Sequence, residues 1–72
     1  MGKISVIYST DYDFQVISII EGNSEHAWDI ANEMYKDKVL EKHKIEHYDV
    51  MEFNSITDMN EWILDSVLDS RS

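Results

Sequence analysis

The chain has 72 residues, with six basic side chains against fifteen acidic ones for a net charge of −9, a hydrophobic content of 43% and no cysteine. That length fits one domain, the apolar content argues against a disordered chain, and without cysteine there are neither disulfides nor thiolate metal sites to staple so small a fold. The charge is unfavourable for direct contact with nucleic acid or an anionic membrane, and no apolar run approaches the roughly 18–20 residues of a membrane span.

The N-terminus lacks a basic segment followed by a long apolar stretch, so a cytoplasmic location is expected. Residues 3–9, KISVIYS, alternate as a strand, with Ile4, Val6 and Tyr8 on one face and Ser5, Ile7 and Ser9 on the other. No charge falls between Ile4 and Ser9, which suits a central strand. Thr10-Asp11-Tyr12-Asp13 is a polar break of the kind that turns a hairpin. Residues 14–20, FQVISII, are rich in β-branched side chains and read as the second strand, ended by Gly22.

Residues 23–38, NSEHAWDIANEMYKDK, form the clearest helix. Asn23 is a good N-cap, and Glu25 suits the first turn and Lys36 and Lys38 the last by the helix dipole. Ala27, Ile30, Ala31, Met34 and Tyr35 make one apolar stripe bordered by Trp28. Glu25, Asp29, Glu33 and Asp37 recur every four residues along the other side, so they stack in a row.

Residues 39–44 read as a charged connection, and residues 45–53, IEHYDVMEF, as a third strand whose charges suit a sheet edge. Ser55-Ile56-Thr57-Asp58 has the form of a capping box and opens a second helix reaching about Asp69. Ile56, Met59, Ile63 and Val67 are its expected inward stripe, with Trp62, Leu64 and Leu68 beside them. Asp58, Glu61, Asp65 and Asp69 form a second acidic row.

The order ββαβα predicts a small α+β domain. A three-stranded antiparallel sheet in order 2-1-3 places the charge-free strand in the centre, with two helices on one face; order 1-2-3 would need a parallel pair. The other face would then carry Ile7, Ile17, Ile19 and Val50 uncovered, which predicts an apolar interface and a weak homodimer.

The charge is unevenly placed. Residues 1–35 hold six acids and Lys3 alone, residues 49–72 hold six acids and Arg71 alone, and residues 36–48 hold four lysines and three acids.

Signals for chemistry are few. His43 and His47 have a spacing that can bind a metal on a helix, with Glu46 and Asp49 as further oxygen donors, but they fall in a loop and strand, and there is no H-E-x-x-H. His26 has no evident task. Asp11 and Asp13 flank Tyr12 as a conceivable acid–base pair, although turn chemistry accounts for both. There is no G-x-S-x-G elbow, and the two glycines are too few for a phosphate loop. Trp28, Trp62, Tyr35 and Tyr48 lack the basic groove that base stacking on RNA would need, so core packing is their expected role.

These features predict a non-enzymatic binding protein without metal or cofactor. Its expected partner is a basic protein, in the sharper form one that normally binds nucleic acid, whose lysines and arginines would meet carboxylates in place of phosphates. In size and charge the chain is similar to the small acidic inhibitors that phages use against restriction, CRISPR or transcription proteins, a likeness that no motif carries. The alternatives are an antitoxin-like or regulatory partner that binds through the apolar sheet face, and a small enzyme or metal protein.

Overall fold

The structure, a computed structural model, describes residues 2–11 and 14–71. Strands β1 (Ile4–Ser9), β2 (Gln15–Glu21) and β3 (Tyr48–Phe53) form one sheet in the order β2-β1-β3. Both pairings are antiparallel, as the charge-free character of β1 predicts. Helix α1 (Ser24–Lys36) carries the chain from one edge strand to the other, and α3 (Ile56–Arg71) follows β3. The expected charged connection holds a further short helix, α2 (Val39–Lys42), and β3 starts three residues later than its sequence pattern suggests.

Local chemistry sets the element ends. The Asn23 side chain accepts from the backbone N–H of His26 at 2.9 Å, capping α1. The Ser55 hydroxyl accepts from the Asp58 N–H at 3.2 Å, one half of the expected capping box. Gly22 has φ +151°, and a Cβ there would lie 3.0 Å from the His26 ring, so only glycine fits the turn from β2 into α1.

The two main helices lie on opposite faces of the sheet, not on one. Ile7, paired with Val50 across β3, sits in a core with Ala27 and Ala31 of α1, against which Ile17, Ile20, Ile30, Met34, Tyr48 and Val50 pack. The neighbouring residue Tyr8 points the other way, and its ring lies 4.9 Å from that of Trp62 on α3. Phe14 and Phe53 meet the same indole at 5.1 and 5.3 Å. Trp28 packs on the α1 side, 6.0 Å from Tyr48, so the two tryptophans belong to separate cores.

The physical reason is that β1 is apolar on both sides: Val6 and Ile7 are adjacent, point to opposite faces, and are both 0% exposed. One helix cannot cover both. The Cα atoms span 34 × 31 × 11 Å. The short dimension matches the two inter-strand gaps of about 4.8 Å in a three-stranded sheet, as expected when helices stack above and below it.

This arrangement corrects the expectation of an uncovered face carrying Ile7, Ile17, Ile19 and Val50. Ile7 is buried beneath α1, and Ile17 and Val50 pack beside it. A register shift at Ile7/Tyr8 leaves Ile17 as the extra residue of a bulge in β2. Ile19 is paired with Val6 on the α3 side, where it stays 52% exposed. The α3 stripe is also shifted. Met59 is buried and Trp62, Ile63 and Val67 are half-buried, but Ile56, Leu64 and Leu68 are exposed.

Lys38 and Lys44, which bracket α2, both have φ +61°. This left-handed conformation costs a residue with a Cβ roughly 1–2 kcal/mol. Between them Leu40 is 2% exposed, and its carbonyl accepts from the Ile45 N–H at 2.8 Å, pinning the α2 turn down.

Two stability predictions follow from this packing. Ile7→Ala should destabilise the domain by about 2–5 kcal/mol through the cavity it leaves, whereas Ile19→Ala should cost about 1 kcal/mol or less. Denaturant unfolding of the two variants distinguishes a covered Ile7 from an exposed one. Lys38→Gly, relieved of its Cβ but with a more flexible unfolded chain, should stabilise by about 0.5–1 kcal/mol, read as a higher melting temperature.

Candidate functional site

All eight carboxylates of the two predicted rows are exposed: Glu25, Asp29, Glu33 and Asp37 along α1 and its C-cap, and Asp58, Glu61, Asp65 and Asp69 along α3. The α1 row lies opposite the buried Ala27–Ala31 seam, because residues at this spacing turn away from the stripe two or three positions on. Successive members rise by about 6 Å. Since α1 and α3 cover different faces of the sheet, the rows are separate surfaces on opposite sides of the molecule. Trp28 is exposed beside the α1 row, and the α3 row runs beside Leu64 and Leu68, which are 59% and 54% exposed.

Two other carboxylates do structural work that their sequence context does not reveal. Asp11, just after β1, accepts backbone N–H bonds from Glu46 at 2.8 Å and His47 at 2.9 Å. It also meets His47 Nδ1 at 2.7 Å. The Glu46 N–H is the largest reason that the Asp11 carboxyl titrates below its ordinary range, with His47 adding to it. Glu52 on β3 accepts from the backbone N–H of Ser24 at 2.8 Å, placing a carboxylate at the positive end of α1. It pairs with Lys3 Nζ at 3.1 Å as well. Its carboxyl is likewise lowered, first by the Ser24 N–H and then by Lys3.

Among the described residues the candidate histidine and carboxylate ligands are held apart. Asp13 and Tyr12 lie outside the described residues, and Asp11 is committed to the clasp on residues 46 and 47. His43 caps the C-terminal end of α2 through its backbone, while His47 is turned to Asp11. The Asp49 carboxylate accepts from the Val50 N–H at 2.7 Å. Among the described residues no three His, Asp or Glu side chains gather as metal ligands would, and no helix is long and apolar enough to cross a membrane.

The region between the end of α1, α2 and the start of β3 holds an open groove of about 1030 Å³. Three lysines, Lys36, Lys38 and Lys44, and three carboxylates, Asp11, Glu41 and Glu46, line it together with His47, and Tyr35 and Ile45 supply its apolar surface. Tyr35, expected in the buried stripe, is 68% exposed there. Among the described residues none of Lys36, Lys38, Lys42 and Lys44 lies within ion-pair distance of a carboxylate. The mixed-charge composition of residues 36–48 matches this mixed lining, but the groove itself brings in Asp11 from the far end of β1.

Compared with known proteins, the chain matches no protein-family model, no curated protein and no solved structure.

The Asp11 clasp gives a pH dependence with a definite sign. A carboxyl lowered in the folded state stabilises the fold above its unfolded pKa, and that contribution disappears as pH falls through the folded value. Acid unfolding below the ordinary carboxylate range of about 4 should therefore draw partly on Asp11 and Glu52. Asp11→Asn should flatten the fall in melting temperature between neutral and acidic pH. An unchanged slope in thermal scans would show that the clasp contributes nothing.

Proposed function

We propose that this protein is a non-enzymatic binding protein that sets a row of helix carboxylates against a basic partner protein, one whose lysines and arginines otherwise hold nucleic-acid phosphates. The observation that supports this reading most directly is the α1 row of Glu25, Asp29, Glu33 and Asp37, fully on the surface and turned away from the core. Rigid carboxylates at regular helical spacing form charge-assisted hydrogen bonds with guanidinium and ammonium groups. A helix whose opposite face is packed on a sheet presents them without further ordering of backbone. The net charge of −9 speeds encounter with a basic surface and repels competing polyanions.

The α3 row of Asp58, Glu61, Asp65 and Asp69 is a second surface on the far side. A partner that uses both rows must wrap around the slab or bind through two sites. The apolar-face alternative loses its main residues, because α1 covers Ile7 and Ile17. In this reading the protein acts by occupancy, as an inhibitor of the phage anti-defence or anti-transcription kind.

The test is affinity capture from a lysate with the wild-type chain and with Asp29→Lys/Glu33→Lys. The reversal should change stability by only about 0.5 kcal/mol or less, since both side chains are exposed. The wild type should retain a basic nucleic-acid-binding protein that salt elutes and that duplex DNA competes away. The reversed variant should lose it by at least tenfold. Equal capture by both chains, or a captured protein indifferent to DNA, overturns the reading.

A further inference from the structure

The α3 side of the molecule keeps large apolar side chains in water. Leu64 and Leu68 are exposed one turn apart on α3, and Ile56 is exposed in its first turn. Ile19 on β2 and Met51 on β3 both pair with Val6, so they project to this same side, and both are exposed. Single apolar residues scattered over a surface need no explanation, but this many on one side of so small a domain mark a contact surface. The core beneath α3 does not use the two leucines: Met59 is buried there and Trp62, Ile63 and Val67 are half-buried, while Leu64 and Leu68 face out.

The charge on this side has one sign. Glu61 and Asp65 are exposed one turn apart along the line next to the leucines. From the sheet, Glu21 pairs with Ile4 and Asp49 with Tyr8, so both carboxylates also project here. The lysines are placed elsewhere. Lys3 meets Glu52 at the start of α1, and Lys36, Lys38, Lys42 and Lys44 lie at the end of α1 and around α2. In α3 the one basic residue is Arg71, at its last position. A second copy pairing symmetrically would set this acidic line against its own counterpart. The groove beside α2, with lysines and carboxylates in equal number, offers a second copy no cationic seat. An anionic membrane or a nucleic acid would be repelled. The surface therefore selects an occupant that is apolar along one line and cationic along the next.

We propose that the outer face of α3 seats a basic amphipathic helix of another protein. The partner's apolar stripe covers Leu64 and Leu68, and its lysines or arginines, one line over, meet Glu61 and Asp65. A helix is the matching shape because leucines one turn apart form a ridge that packs between the side-chain rows of a second helix. Charges flanking such a seam pair across it and fix the partner's direction and register. Recognition of this kind reads apolar anchors at helical spacing. Neither Asp29 nor Glu33 takes part, so this inference stands whether or not the α1 row meets a basic protein.

The probe is a synthetic leucine–lysine peptide of about 18 residues, five helical turns, with its leucines on one face. Its control is a scrambled peptide of the same composition whose leucines share no face. Isothermal titration calorimetry with the wild type should show one-site binding of the amphipathic peptide and binding about tenfold weaker, or more, of the scrambled one. Leu64→Ala/Leu68→Ala and Glu61→Lys/Asp65→Lys should each weaken the amphipathic peptide by about tenfold or more. All four side chains are exposed, so both variants should melt close to the wild type. Asp29→Lys/Glu33→Lys is the matched control. Each lysine adds two charge units, so both reversals move the net charge from −9 to −5, yet the α1 reversal should bind within about threefold of the wild type. Equal loss from the two reversals means bulk attraction of a polycation and overturns the proposal. So does a wild type that takes up neither peptide, equal binding of the scrambled peptide, or a leucine variant that binds like the wild type. Wild-type dimers in sedimentation velocity that Leu64→Ala/Leu68→Ala dissolves would assign the face to a second copy and overturn it too. Capture of a basic partner through Asp29 and Glu33 is read on α1 and succeeds or fails independently.

Discussion

Burial of the central strand on both faces organises this molecule. Val6 and Ile7 are neighbours in sequence, project to opposite sides of the sheet and are both fully buried. In a three-stranded sheet each face is small, and leaving either one wet would forfeit roughly 1.5–3 kcal/mol per large aliphatic side chain. One amphipathic helix covers one face, so two helices are needed and they must part. On one side α1 packs its small Ala27 and Ala31 over Ile7, whereas on the other the Trp62 indole sits among Tyr8, Phe14 and Phe53. The two cores thus differ in composition: the α1 core is mainly aliphatic with Tyr48 and Trp28 at its margin, whereas four aromatic rings cluster on the α3 side.

That division sets the electrostatic shape of the surface. Charged residues on each helix are pushed to the side away from its core, because desolvating a carboxylate costs several kcal/mol. With the helices on opposite faces, the carboxylates become two outward rows instead of one patch. The lysines of residues 36–44 fall where α1 ends, next to Asp37, and among the described residues none of them forms an ion pair. The protein is strongly acidic in total, yet at this corner lysines and carboxylates are balanced, with Lys36, Lys38 and Lys44 beside Asp11, Glu41 and Glu46.

A few long-range carboxylate contacts hold the connecting segments in place. Asp11 grips the backbone of residues 46 and 47, and Glu52 caps the start of α1 from the neighbouring strand. Each satisfies N–H groups that no regular ladder serves, those of Glu46 and His47 near the surface and that of half-buried Ser24. Together with Leu40, which plugs the α2 turn, Asp11 positions the walls of the groove in a chain without cysteine.

The amino-acid sequence by itself determined the three strands and the two main helices, their order and the exposure of the eight row carboxylates, but not the short α2. Those properties follow from local periodicity and from the cost of burying charge, both visible within a dozen residues. It also determined the strand order, because only β1 is free of charge across its length. Only the tertiary structure decided which face each helix covers. Alternation along β1 is ambiguous when both of its faces are apolar, so Ile7 could be read as uncovered until α1 is seen packed upon it. The bulge at Ile17, the αL lysines, and the grips of Asp11 and Glu52 likewise join residues far apart in the chain. Their partners are set by strand register and turn geometry, quantities that no local pattern of residue types encodes.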